Sequence, residues 1–294
     1  CSSDLRAKRI KEPVLIHVCT KKGMGYEFAE QNPDEYHGVS AFDVETGKAV
    51  NKTSSLSYSH MFGKKLCDIA QSNDKVVAIS AAMIDGTGLC EFKEKFPNRI
   101  FDVGIAEQHA VTMAGGFAVN GIIPVVALYS SFLQRAYDQV VHDIATQNLH
   151  VVFAVDRAGI VGDDGETHQG VFDSGFLTQL PNMTVMAPAD YNELNSMLEF
   201  AVNKFNTPIA IRYPRGSSIA TVPNSTKEIE LGKGVIVNEG NDITIIAYGK
   251  MLELAVDTSN KLKNDNINAE LINLRFLKPL DVELILKSVN KTKK

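Results

Sequence analysis

The 294-residue sequence has no tryptophan and only four cysteines, none of which form a Cys-x-x-Cys pair. This spacing suits neither a zinc site nor a disulfide framework, so we interpret the thiols as incidental residues of a reducing compartment. No apolar run approaches the roughly 20 residues of a membrane-spanning helix. No secretory signal pattern precedes the first apolar segment. We therefore expect a cytoplasmic protein.

An excess of positive charge is also missing. The formal net charge is −5 at pH 7, which gives no general reason to bind nucleic acid or an anionic membrane. Any site for an anion must therefore be built from individual arginines. The glycine-rich dinucleotide fingerprint, the P-loop lysine motif, the hydrolase nucleophile elbow and the His-Glu-x-x-His motif are absent. Dehydrogenases, nucleoside triphosphatases, hydrolases and zinc proteases consequently have little support.

What the sequence does contain is a regular alternation of apolar strand patterns and amphipathic helix patterns. Such alternation predicts an α/β fold with a doubly wound parallel sheet over residues 54–222. A partial C-terminal α/β domain is predicted over 223–294, beyond a polar linker. Residues 1–53 look like the tail of a preceding domain followed by a linker, with one strand predicted over Val14–Cys19.

Polar side chains follow several of these strands, where a parallel sheet binds ligands. Glu107 comes after the strand Arg99–Val103 and starts the helix Glu107–Asn120. A carboxylate in a first helical turn is often there because it interacts favourably with the helix dipole. Considered alone, Glu107 is therefore as consistent with helix stabilisation as with ligand binding.

Three further clusters favour a ligand site. They follow the next strands of the predicted sheet and carry Tyr129, Phe132 and Arg135; then Arg157, Asp164 and His168 in a glycine-rich loop; and then Arg215 in a Pro-Arg-Gly turn. Taken singly, Phe132 suits a helix core, Arg135 a surface charge and Arg215 a surface turn. Together they predict one site, since an imidazole can act as acid or base and arginines bind phosphate through bidentate hydrogen bonds.

These segments resemble the 1-deoxy-D-xylulose-5-phosphate synthase family of the transketolase superfamily. The resemblance runs through nearly the whole chain and is carried by His17–Tyr26, Tyr36-His37-Gly38, Asp102–Val111, Tyr129–Gln139, Asp156–Gly170 and Arg212–Gly216. It implies three α/β domains, of which this chain would hold the end of the first, all of the second and part of the third. The Gly-Asp-Gly…Asn motif of the first domain is absent, so we interpret the chain as a piece of a longer protein that is inactive alone.

The resemblance also implies a reaction, in which pyruvate condenses with D-glyceraldehyde 3-phosphate and carbon dioxide is lost. Thiamine diphosphate and Mg²⁺ would be the cofactors, with the diphosphate and metal ligands in the missing domain. The implied assembly is a homodimer that binds no nucleic acid and no membrane. Implied catalytic residues are Glu107, His168 and His37; implied cofactor contacts are Tyr26, Glu107 and Phe132; implied substrate contacts are Tyr129, Arg135, Arg157, Asp164 and Arg215.

Two alternatives stay open on the sequence. One is the beta subunit of a 2-oxo acid dehydrogenase, which also combines a pyrimidine domain with a C-terminal domain. The segment Thr20–Tyr26 argues against it, because it belongs to a preceding domain that such a subunit lacks. The other is a non-catalytic fragment or interaction module.

Overall fold

The computed structural model describes residues 2–33, 36, 41–48, 50, 56–218 and 221–294, and the chain divides into two compact units, Cys1–Ser55 and Leu56–Lys294. The first unit contains two short helices, α1 (Ser2–Ala7) and α2 (Glu27–Gln31). The strand predicted over Val14–Cys19 is wrong, since these residues form neither strand nor helix. Leu15 among them is 94% exposed, and the described part of this unit holds no strand that could pair with the segment.

In the second unit, the predicted alternation of strands and helices is confirmed. The six strands that follow one another here are parallel, and they are β1 (Val76–Ser80), β2 (Ile100–Asp102), β3 (Ile123–Tyr129), β4 (Val152–Asp156), β5 (Thr184–Met186) and β6 (Ile209–Arg212). Their spatial order is β5-β6-β4-β3-β1-β2. The central strands β1 and β4 are buried at every position, which requires helices on both faces of the sheet.

Helices cover both faces. They are α3 (Tyr58–Ser72), α4 (Cys90–Lys95), α5 (Glu107–Val119), α6 (Ser130–Leu133), α7 (Tyr137–Gln139), α8 (Asp173–Gln179) and α9 (Tyr191–Glu199). One core contains the buried faces of α3, α4 and α9, and a second core contains those of α5, α6 and α8. The unit is therefore a doubly wound α/β domain, as predicted.

One helix prediction needs correction. Apolar residues at helical spacing predict a single helix over Ser131–Gln147. The structure instead has α6, a 3₁₀ turn over Gln134–Ala136, α7 and a π-helical turn over Val140–Ala145. Leu133, Ala136 and Val140 are buried throughout. Residues three or four positions apart share a face in α-helical, 3₁₀ and π-helical turns alike, so hydrophobic periodicity alone does not reveal a change of helix type.

The C-terminal region of the second unit has the α/β structure predicted for residues 223–294. Its elements are β7 (Val235–Asn238), β8 (Ile243–Ala247), α10 (Met251–Asn264), β9 (Ala269–Asn273), β10 (Phe276–Lys278) and α11 (Val282–Thr292). Strands β7, β9 and β8 make a small sheet, whereas β10 joins the large sheet beside β5 as its one antiparallel strand within the described residues. The predicted linker is held in place, since the Arg275 guanidinium donates to the carbonyls of Asn224, Lys227 and Glu228.

Candidate functional site

The candidate residues of the second unit lie at the carboxyl ends of neighbouring parallel strands. Tyr129 ends β3 and is paired in register with Asp156, which ends β4. Glu107 follows β2, and Arg215 follows β6. Because these strands run parallel, their carboxyl ends meet at one edge of the sheet, where open α/β folds bind ligands.

Glu107 is the first residue of α5, and only 2% of it is exposed. The turn before it is fixed by Asp102, whose carboxylate accepts hydrogen bonds from the amides of Gly104 and Ala82. Among the residues that the structure describes, no hydrogen bond reaches the Glu107 carboxylate, and the nearest cation is Arg135, whose Nη1 lies 4.0 Å from Oε2. The helix dipole offsets part of the cost of burial. A buried carboxylate still requires hydrogen-bond donors.

Three rings form one aromatic group, which Arg135 connects to this carboxylate. Tyr129 and Phe132 stack with centroids 5.7 Å apart and an interplanar angle of 20°. The His168 imidazole meets Phe132 edge-on at 5.0 Å. His168 lies in a 3₁₀ turn, Glu166–His168. The Arg135 guanidinium lies 5.7 Å from the Phe132 ring, so Arg135 connects Glu107 to the aromatic group.

A group of charged side chains continues from the other side of Tyr129. The Arg157 guanidinium carbon lies 4.0 Å from the centre of the Tyr129 ring. Arg157 Nε is 3.8 Å from Asp164 Oδ2, and Arg215 Nε is 3.3 Å from the same oxygen. Burial raises the pKa of the Tyr129 hydroxyl, and the neighbouring Arg157 opposes that shift. A group of paired arginine and aspartate side chains therefore lies next to the aromatic group.

The structure thus connects eight of the ten predicted site residues through one series of contacts. The two others belong to the first unit. His37 lies outside the described residues, so its predicted role is untested. Tyr26 donates a hydrogen bond to the Val44 carbonyl at 2.9 Å and packs edge-on against Tyr36.

Two residues at this site were missed by sequence reasoning. Asp156 is fully buried beside Arg157, and desolvation raises the pKa of its carboxyl group to about 6. Gly86 accepts a hydrogen bond from Arg157, and a Cβ atom on it would lie 1.7 Å from the Tyr129 hydroxyl oxygen. An acid at the end of a fully apolar strand was a usable signal for Asp156, whereas no local pattern marks Gly86.

This arrangement suits a ligand with two different ends. The buried Glu107 carboxylate and the Phe132 face fit a heteroaromatic ring that can donate a hydrogen bond. The guanidinium groups of Arg135, Arg157 and Arg215 fit an anion such as a phosphate. In the described part of the chain, three or more His, Cys, Asp or Glu side chains are nowhere grouped as a metal site, and no helix is long and apolar enough to cross a membrane.

The comparisons with known proteins agree with this geometry. Residues 54–219 match the family described as transketolase, pyrimidine binding domain, and residues 232–294 match the transketolase C-terminal domain. Because the first match spans more than half of the sequence, the chain belongs to the transketolase family. It is 54% identical over 288 residues to the 1-deoxy-D-xylulose-5-phosphate synthase of Clostridium tetani, a match that covers 98% of this chain and 46% of the relative.

Other matches point the same way. The synthase of Caldanaerobacter subterraneus subsp. tengcongensis is 54% identical over 286 residues, which are 97% of this chain and 46% of that protein. This chain therefore spans about half the length of the curated relatives it matches. A solved structure described as a split-gene transketolase, inactive β4 tetramer, is 31% identical with a TM-score of 0.73, over 81% of this chain and 78% of that one. A transketolase from Pichia stipitis in complex with sedoheptulose 7-phosphate has a TM-score of 0.69 at 18% identity, over 81% of this chain and 38% of that one, and shows the fold alone.

Proposed function

We propose that this chain supplies the aminopyrimidine-binding half of a thiamine diphosphate site in a 1-deoxy-D-xylulose-5-phosphate synthase. The reaction would condense pyruvate with D-glyceraldehyde 3-phosphate and release carbon dioxide. The observation that carries the proposal is the buried Glu107 carboxylate, which Arg135 connects to Phe132 and which has no hydrogen-bond donor among the described residues. A helix-stabilising glutamate needs no such environment.

The residues present fit the aminopyrimidine end of the cofactor. Glu107 would accept a hydrogen bond from the ring, and Phe132 would pack against its face. Thiamine diphosphate, when bound, supplies the carbanion-stabilising chemistry of the reaction. The part of the protein is to hold a proton between the Glu107 carboxylate and the ring, and to exclude water from that bond.

The charged side chains are proposed to bind the acceptor. The Arg135 and Arg215 side chains are 55% and 39% exposed, so they would be accessible to a phosphate dianion. Arg157 is close by and largely covered. His168 would donate a proton to the forming alkoxide or contact the pyruvate carboxylate, while Tyr129 and Asp164 line the pocket.

Several finer predictions rest on the resemblance. Mg²⁺ and the diphosphate would be held by residues outside this chain, Tyr26 would contact the cofactor, and His37 would be a catalytic residue. A homodimer and a cytoplasmic location are predicted in the same way. The inactive β4 tetramer of the split-gene transketolase supports the view that such a chain needs the remaining length of its relatives for activity.

The proposal is tested in a chimera in which residues 1–294 replace the matching segment of the Clostridium tetani relative. Carbon dioxide release from labelled pyruvate, dependent on D-glyceraldehyde 3-phosphate, is the assay. Glu107→Gln is expected to lower kcat by roughly 100-fold or more, the usual size of a lost acid–base group. Glu91→Gln, which changes an acid in the first turn of α4, is the control for helix-dipole effects and is expected to leave kcat unchanged. An inactive parent chimera, or a Glu107→Gln variant with more than about a tenth of parental kcat, would refute the proposal.

A further inference from the structure

Arg157 is held in an unusual backbone conformation at the end of β4. Its φ angle is +56°, a left-handed value that residues other than glycine rarely adopt. Such conformations persist only where the surrounding structure imposes them, and they concentrate at functional sites. The contacts on either side of Arg157 therefore impose this backbone conformation.

The hydrogen bonds between β4 and β6 show that one extra residue is inserted here. Tyr213 donates from its amide to the Val155 carbonyl at 3.0 Å, and its own carbonyl accepts from the Ala158 amide at 2.9 Å. In a regular parallel ladder the second bond would come from residue 157, one position earlier. Asp156 and Arg157 thus both lie opposite Tyr213, which is a β-bulge, and bulges turn side chains to new directions beside active sites.

The bulge deprives the Arg157 amide of its acceptor in the sheet, and the Asp156 side chain replaces that acceptor. Asp156 Oδ1 accepts a hydrogen bond from the Arg157 amide at 2.7 Å. The same oxygen lies 3.1 Å from Arg157 Nη1. One buried carboxylate therefore holds both the backbone and the guanidinium of Arg157.

Further contacts hold the Arg157 guanidinium in place. Arg157 Nη1 donates to the Gly86 carbonyl and to Ser59 Oγ, the latter at 3.3 Å, while the guanidinium packs on the Tyr129 ring. The arginine is consequently only 13% exposed in its side chain. Asp156 also interacts with the Ser59 hydroxyl, which itself accepts from Arg157, while its second oxygen, Oδ2, has no hydrogen-bond partner among the described residues.

We infer that Asp156 is a positioning residue, which fixes Arg157 against Tyr129 so that its guanidinium points toward the acceptor pocket with the correct orientation. This inference rests on the proposed function for the identity of the acceptor. Asp156 itself is fully buried and exposes no surface that a substrate could contact. Its effect on the reaction must therefore pass through Arg157, and that dependence is what an experiment can measure.

The first test is a double-mutant cycle in the chimera, with Asp156→Asn, Arg157→Met and the two combined. Asp156→Asn is expected to raise the KM for D-glyceraldehyde 3-phosphate about tenfold, the effect of a weakened charge-assisted hydrogen bond, with the KM for pyruvate within about twofold of the parent. In the Arg157→Met background, the same change is expected to have no further effect on KM. A tenfold effect that persists without Arg157 would overturn the inference.

The second test does not need activity, so it separates this inference from the proposed function. Phenylglyoxal modifies accessible guanidinium groups, and the rate at Arg157 can be followed by mass spectrometry of its peptide in the unliganded chimera. Asp156→Asn is expected to raise that rate about tenfold, because the guanidinium loses the carboxylate that restrains it. Glu193→Gln, a matched change in the buried Glu193–Arg275 pair, is the control and is expected to leave the rate at Arg157 unchanged. An unchanged rate in Asp156→Asn would refute the positioning role, even if the chimera proved inactive.

Discussion

Removing the charge of Asp156 is predicted to raise the free energy of unfolding, whereas breaking a buried ion pair usually lowers it. Desolvation raises the pKa of this carboxyl group from 3.8 to about 6, and the Arg157 guanidinium opposes the shift without cancelling it. Asp156 therefore binds its proton more tightly in the folded protein than in the unfolded chain. Its contribution to stability is complete below pH 3.8 and is lost as the pH rises through about 6.

The size of the effect follows from the shift. At 1.36 kcal/mol per pH unit, the ionised carboxylate lowers the free energy of unfolding above pH 7 by about 3 kcal/mol. Asparagine has nearly the same shape and no proton to lose. We therefore expect Asp156→Asn to be more stable than the parent chain at pH 7.5, by up to about 3 kcal/mol, and about equally stable near pH 4.

Urea denaturation of both chains at pH 4, 5, 6 and 7.5 would measure this difference. Circular dichroism is the suitable signal, because the chain has no tryptophan. Comparing the two chains at each pH removes the contribution of the other carboxylates. The groups that face Asp156 are Arg157, from the same bulge, Tyr213, from the end of β6, and the Ser59 hydroxyl, from α3. A variant that is less stable than the parent at pH 7.5, or a difference that does not change with pH, would show that Asp156 serves stability.

Two further changes test the surroundings of the site and of the domain core. Gly86→Ala would place a methyl group 1.7 Å from the Tyr129 hydroxyl oxygen. It is therefore expected to raise the KM for D-glyceraldehyde 3-phosphate in the chimera, and Tyr129→Phe is expected to reverse part of that rise. If Tyr129→Phe reverses none of it, the proposed clash is contradicted. Arg275→Met leaves the fully buried Glu193 without its cation, and urea denaturation is expected to show a loss of about 3 kcal/mol or more. Combining Arg275→Met with Glu193→Gln is expected to recover part of that loss, and a further loss would contradict this account.

Much of the α/β fold could be predicted because its central strands are short apolar runs between turns. The apolar runs predict strands over Val76–Ser80, Ile123–Tyr129, Ile243–Ala247 and Ala269–Asn273, and these are the observed bounds of β1, β3, β8 and β9. The same kind of run at Val14–Cys19 forms no strand, since a strand also needs a neighbour to pair with. Local sequence supplies the apolar pattern, but the pairing partner is a property of the whole fold.

The candidate site could be predicted as a location more readily than as a set of contacts. Parallel strands bring Glu107, Tyr129 and Arg215 to one edge, and that follows from alternation alone. The contacts that hold Arg157 could not be predicted, because they depend on a bulge opposite Tyr213, more than fifty residues away in the sequence. Gly86 was missed for the same reason, as the space it leaves is filled by a distant tyrosine.

Two buried glutamates of the same domain differ in whether the fold itself supplies their hydrogen-bond donors. Glu193 and Glu107 both lie in the first turn of a helix, and both are almost fully buried. Glu193 accepts hydrogen bonds from the Ala189 amide, the Asn273 amide group and the Arg275 guanidinium, so the fold itself satisfies it. Glu107 has one cation at 4.0 Å and no donor among the described residues. Because buried carboxylates are paired with hydrogen-bond donors or with ordered water, the donor to Glu107 is water, a ligand or a residue beyond the described part of this chain. A bound aminopyrimidine is the donor that the proposed function would supply.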